Sequence, residues 1–168
     1  ISVFEWHRMV HKTSYKLIGF IFLIFSFFSF YVLTINNLVL IPLFICISTD
    51  IGGFIFGKIF KGPKLTKISP NKTYAGMIGG FFLSILTISV YFSYVDQAVT
   101  ITWFLITIII SSVSQTGDIV ISYFKRLSKI KNTGNIIPGH GGLLDRIDGM
   151  IFAFPFFYLI ELTDYLPQ

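Results

Sequence analysis

Residues 17–35 read LIGFIFLIFSFFSFYVLTI, an unbroken apolar stretch without one charged side chain. At 1.5 Å per residue, about twenty such positions cross a hydrocarbon core of about 30 Å. Further runs of the same kind follow at 38–57, 75–95, 99–124 and 149–166. Composition agrees, because 54% of the 168 residues are hydrophobic and 12% are charged. A soluble domain carries about a quarter charged residues. The sequence therefore predicts an all-α, polytopic transmembrane protein of about five spans, forming one transmembrane domain over 1–168. The Phe-rich first span reads as lipid-facing or packing helix without chemistry. The single Cys46 excludes an internal disulfide. The chain opens on Ile1 rather than Met, which leaves room for a preceding segment, and no secretory signal is visible.

The joins set an orientation. Asn36-Asn37 and Asp96-Gln97 read as tight turns. The other two joins are long and basic: KIFKGPKLTKISPNKTY (58–74) and KRLSKIKNTGNIIPGHGGLLDRID (125–148). Arg8, Lys12 and Lys16 precede the first span. Lys58, Lys61, Lys64, Lys67 and Lys72 lie in the first loop, and Lys125, Arg126, Lys129, Lys131 and Arg146 in the second. Together these are all 13 Lys and Arg of the chain. Five spans bring the three segments to one side, and the positive-inside rule makes that side the cytoplasm. Asp96, Glu161 and Asp164 fall opposite. The net charge of +5 then reflects topology and attraction to anionic membrane lipids, not nucleic acid, since no soluble domain exists to read a groove.

Two acids fall inside spans: Asp50 in ICISTDIGGFIFGK (45–58) and Asp118 in SVSQTGDIVISYFKR (112–126). An ionisable group at that depth costs about 3 kcal/mol on insertion scales, so function is the default reading. The plainer alternative is an Asp satisfied by nearby hydroxyls such as Ser48, Thr49 and Thr116. Both segments run toward the cytoplasm and end in cations. Each Asp then sits roughly 12 Å below a basic rim, which describes a polar pocket open to that side. Gly52, Gly53, Gly57, Gly76, Gly79 and Gly80 cluster beside the acids and loops. They suit either close helix packing or close approach of a ligand.

KISPNKTYAG (67–76) combines lysines, hydroxyls and a helix start, which is what a phosphate requires, although a solvated basic loop reads equally well. It is not a Walker A loop, whose spacing is absent. In GHGGLLDRID (139–148), Asp145 and Asp148 share a face if a helix has begun, and glycines free the backbone around His140. Hard oxygen ligands of this kind suit Mg²⁺ held against phosphates. A helix-start cluster, with Asp favoured by the dipole and paired to Arg146, is the alternative.

SYFKRLSKIKNTGNIIPGHGGLLDRID (122–148) resembles the signature of the phosphatidate cytidylyltransferases, also called CDP-diacylglycerol synthases. The match runs through Ser122, Lys125, Arg126, Lys131, Gly134, Pro138, His140, Gly141, Gly142, Asp145, Arg146 and Asp148. A second block matches at Asp50, Gly57, Lys64, Leu65, Ser69, Pro70, Lys72 and Thr73, and a Gly-Asp step at Gly117-Asp118. The resemblance spans about 48–150. It departs at Ile121 and Asn132, where acids are usual, and at Ala75, where Glu or Gln is usual. It also implies a longer N-terminal half than is present here.

The resemblance implies transfer of a cytidylyl group from CTP to phosphatidic acid with Mg²⁺, in a multi-pass protein of a bacterial-type inner membrane whose active site faces the cytoplasm. Asp118, Asp145 and Asp148 would be metal ligands or their close supports. Lys125, Arg126, Lys131 and Arg146 would contact phosphates, and His140 would orient a phosphate or relay a proton. Asp50, Lys64, Ser69, Lys72, Thr73, Ser122, Gly141 and Gly142 would line the substrate site. A homodimer formed through the glycine-rich spans is a further expectation. The alternatives are a CTP-dependent lipid kinase of the dolichol or phytol type, an ion-coupled transporter, and an inactive relative.

Overall fold

The computed structural model describes residues 1–134, 141–163 and 166. Its elements are α1 (Ser2–Met9), α2 (Thr13–Ile35), α3 (Leu40–Phe60), α4 (Tyr74–Tyr94), α5 (Ile101–Leu127), α6 (Leu144–Ile147) and α7 (Met150–Glu161). Among the described residues, α2, α3, α4 and α5 are long and apolar enough to cross a bilayer. The all-helical, multi-pass reading therefore stands, and the two predicted tight turns are real. Asn37 and Asp96 adopt left-handed backbone, with φ of 59° and 55°, between α2 and α3 and between α4 and α5.

The expected fifth span is shorter than 149–166. The chain first makes the single turn of α6, and α7 then covers only Met150–Glu161 with Pro155 inside it. Its end is marked by Thr163, whose hydroxyl donates back to the Ile160 carbonyl at 2.6 Å. Opposite it, the Asn36 amide donates to Glu161 Oε1 at 2.5 Å, tying α7 to the end of α2.

Small residues bring the helices together, as expected where lipid removes any hydrophobic drive between them. The α2 face turned inward carries Gly19, Ser26 and Ser29 beside Leu23 and Leu33, while Ile21, Phe28 and Tyr31 stay exposed. α3 and α4 are the most intimately packed pair. A Cβ at Gly52 would lie 2.4 Å from the Gly79 carbonyl oxygen, and one at Gly76 would lie 2.7 Å from that of Gly53. Helix packing within the chain thus buries Gly52, Gly76, Gly79 and Gly80.

Two apolar clusters result. One joins Leu33, Ile45, Phe92, Trp103, Ile110 and Phe157 at the turn end of the bundle. The other joins Trp6, Met9, Leu23, Ile121, Leu144 and Ile151 at the loop end. The 61–73 loop doubles back between α3 and α4. Leu65 N–H donates to the Lys72 carbonyl at 2.7 Å, and an isolated bridge links Lys64 to Thr73. Thr73 then caps α4, its hydroxyl accepting from Gly76 N–H at 3.1 Å.

Candidate active site

A cavity of about 320 Å³ opens where α3, α4 and α5 meet beneath the 61–73 loop. Its chemistry comes from Asp50 on α3, Ser69, Lys72 and Thr73 on the loop, and Gln115 and Asp118 on α5. The doubled-back loop carries Lys72 over the cavity, where its Nζ lies 2.5 Å from Asp118 Oδ2 and donates to the Gln115 carbonyl at 3.3 Å. One helical turn beyond Asp118, the Ser122 hydroxyl donates to Asp118 Oδ1 at 3.3 Å. Ser122 is buried, so it braces the carboxylate instead of facing the cavity. Asp50 lines the same wall and interacts electrostatically with both Asp118 and Lys72.

Asp148 joins this group from the α6–α7 corner. Its carboxyl group is within hydrogen-bonding reach of Asp118 and feels the charges of Lys125 and Asp50. Burial first, and then the neighbouring Asp118 carboxylate, push the Asp148 carboxyl well above the usual range.

Asp145 is engaged differently. Its Oδ1 accepts from Lys125 Nζ at 2.8 Å, and its Oδ2 accepts from Thr133 N–H at 2.8 Å, Gly142 N–H at 3.0 Å and the Thr133 hydroxyl at 3.1 Å. Burial works to raise this carboxyl. The Lys125 bond and the two backbone N–H groups outweigh it and hold the group below the ordinary carboxylate range. Gly141 makes this possible, with φ of 86° and a missing Cβ that would fall 2.8 Å from Asp145 Oδ2.

Mg²⁺ asks for one or two carboxylates, with phosphates and water completing its shell. Asp118 and Asp148 fit that donor set, being two mutually repelling carboxyl groups against which the Lys72 ammonium stands as a cation. The expected trio of Asp118, Asp145 and Asp148 is not assembled as one ligand set. Among the described residues, no three metal-binding side chains converge, and Asp145 is already engaged by protein donors.

Lys64, Arg126, Lys131 and Arg146 are exposed. Gly142 presents its N–H to Asp145 as described. His140, with Pro138 and Gly139, lies outside the described residues, as does Asp164.

The profile described as "Cytidylyltransferase family" matches residues 2–163, nearly the whole chain. This chain belongs to the cytidylyltransferase family. Its relatives include a phosphatidate cytidylyltransferase of Rickettsia prowazekii (strain Madrid E), 40% identical over 172 aligned residues, covering 94% of this chain and 75% of that one. Another, of Rickettsia felis, is 38% identical over the same shares. A phosphatidate cytidylyltransferase of Staphylococcus saprophyticus is 46% identical over 110 residues, or 64% of this chain and 42% of that one.

In this chain the three departures do not empty the carboxylate cluster. Ile121 is 2% exposed and packs in the apolar cluster of Trp6, Met9 and Leu144. Asn132 is exposed and packs beside Gly141, and Ala75 sits half-buried in the first turn of α4. The residue that sequence reading missed is Glu5, a buried acid of α1 bonded to the signature loop. Its signal was the recurrence of Ser2, Glu5, Trp6 and Met9 at helical spacing, which places an acid on an otherwise inward face.

Proposed function

We propose that this chain is a phosphatidate cytidylyltransferase, converting CTP and phosphatidic acid to CDP-diacylglycerol and pyrophosphate. A phosphate oxygen of the lipid forms a bond to the α-phosphorus of CTP, and the bond from that phosphorus to the oxygen bridging the β-phosphate breaks. Both reactants are anions, so catalysis is chiefly positioning and charge neutralisation.

The observation that carries this reading is the shared cavity in which Asp50 and Asp118 face Lys72, Ser69 and Thr73 at the head of α4. Lys72 and the two hydroxyls, beside a helix N-terminus, suit a phosphate. Lys72 is partly exposed and can exchange its bond to Asp118 for one to a substrate phosphate. Lys125, fixed by Asp145, presents a second ammonium near Asp148. Arg126, Lys131 and Arg146 add positive charge at the rim, where a polyanion would arrive from the cytoplasm. Asp118 and Asp148 would hold Mg²⁺, which supplies neutralisation of charge developing on the phosphates.

The test supplies purified chain with labelled CTP and phosphatidic acid, with and without Mg²⁺. Pyrophosphate release with formation of a cytidine-containing lipid is expected, and only with Mg²⁺. Release of CDP with a phosphorylated alcohol would instead establish a lipid kinase. Ion flux in proteoliposomes without CTP turnover would establish a transporter.

A further inference from the structure

Glu5 is the one buried acid among the described residues, at 2% exposure. It lies on the inward face of α1, which also carries Trp6 and Met9 of the loop-end apolar cluster. A carboxylate so enclosed persists only if donors satisfy it. Here the donors come from the signature loop. Glu5 Oε1 accepts from Leu143 N–H at 3.0 Å, and Oε2 accepts from Leu144 N–H at 2.7 Å and lies 3.3 Å from the Thr133 hydroxyl.

Two glycines let the loop come this close. A Cβ at Gly134 or at Gly142 would fall 2.8 Å or 2.6 Å from Glu5 Oε1. One side chain of α1 therefore holds both Thr133 and the Leu143–Leu144 turn. The grip continues toward the chemistry. The Thr133 hydroxyl lies between Glu5 and Asp145, 3.1 Å from the latter, and has one proton to give to either. Asp145 in turn fixes Lys125.

We propose that Glu5 is a positioning residue for Thr133 and for the turn at Gly142–Leu144, holding Thr133, Asp145 and Lys125 in register with Asp148 from a helix that does not itself line the cavity. It touches no substrate. The catalytic half of this proposal rests on the cytidylyl-transfer reading, and the structural half does not.

The test compares Glu5→Gln with the wild-type full chain in detergent by backbone hydrogen exchange, melting temperature and steady-state kinetics. Glutamine keeps the volume but turns an amide donor toward the loop N–H groups. Exchange at Gly142, Leu143 and Leu144 should rise by about tenfold or more, because a buried donor loses its charged acceptor. Exchange in α3 and α4 should not change. The kcat should fall by about tenfold or more while KM for CTP stays within about threefold, as when an arrangement needed mainly in the transition state is lost. Glu5→Asp keeps the charge, shortens the reach by a methylene, and should recover part of both losses.

Unchanged exchange at 142–144, or a local rise accompanied by wild-type kcat, would overturn the proposal. So would activity lost only in proportion to unfolded protein, with exchange raised across the whole chain. Should Glu5→Gln fail to accumulate, Glu5→Asp carries the same readouts. If the wild-type chain itself does not turn over CTP, the reaction assignment fails, and the exchange measurement still decides whether Glu5 holds the loop.

Discussion

Lys72 and Lys125 each face an aspartate, yet the two pairs do different work. The Lys125–Asp145 side chains are 11% and 10% exposed, whereas those of Lys72 and Asp118 are 24% and 29% exposed on a cavity wall. The enclosed pair is a holdfast, whose rupture leaves a buried charge unpaired. In the proposed reaction the open pair would be exchangeable, an arriving polyanion competing for the ammonium. Asp118→Asn and Asp148→Asn should therefore fold like wild type and lower kcat by about 10²–10³, the usual loss when a group stabilising developing charge is removed. CTP turnover measured beside a melting curve checks this, and activity within about twofold of wild type would remove that residue from the centre. Asp145→Asn should act on the fold as well. Because the folded carboxyl is held below its ordinary range, the unfolded chain binds that proton more readily. The stability contributed by Asp145 is thus present above the ordinary carboxylate range and is lost as pH falls through the lowered folded value. The gap in melting temperature between wild type and Asp145→Asn should be widest near neutrality and close on acidification toward about pH 3. A gap independent of pH would show that the bonds to Lys125, Thr133 and Gly142 contribute no linked stability.

The α3–α4 contact sets the width of the cavity, because Gly53 and Gly76 both oppose each other and line it. Gly52→Ala drives a methyl group against the Gly79 carbonyl, and backbone cannot swing aside as a side chain can. Overpacking of this kind costs about 1–3 kcal/mol, so the melting temperature in detergent should drop, and KM for CTP should rise as α4 and its Thr73 cap shift. Gly62→Ala is the counterpart for space, since nothing lies within 4 Å of that position, although its φ of 93° strains any side chain. The four long helices were legible in the sequence because hydropathy alone marks them, with ends within a few residues. Asp50 and Asp118 were legible because an acid within a span is costly enough to announce itself. α1 was not, since its inward face mixes Ser2 and Glu5 with Trp6 and Met9 and so raises no hydropathy signal. The split between Asp145 and Asp148 was equally hidden. Their i, i+3 spacing promised one shared face, and the backbone stays helical through Asp148, yet the two carboxyl groups find different partners.

All the basic loops belong to the end of the bundle where the cavity opens, and the Asn37 and Asp96 turns mark the other end. This separation makes the orientation measurable. With α2 to α5 as full crossings, the 61–73 loop and the α4–α5 turn would lie on opposite sides, and the positive-inside rule predicts a cytoplasmic place for the former. The single native Cys46 is fully buried in the apolar cluster, so it contributes little background to thiol labelling. Lys67 and Gln97 are exposed, and neither contributes a side chain to the cavity. In spheroplasts of a bacterial host, a membrane-impermeant maleimide should label Gln97→Cys at once, and Lys67→Cys only after the membrane is permeabilised. The reverse pattern would place the cavity on the outer face, away from cytoplasmic CTP, and would defeat the proposed reaction even if every carboxylate distance were right. Labelling of both positions from outside would mean that the crossings themselves had been misread. The expected pattern would tie the carboxylate centre to the compartment that holds the nucleotide.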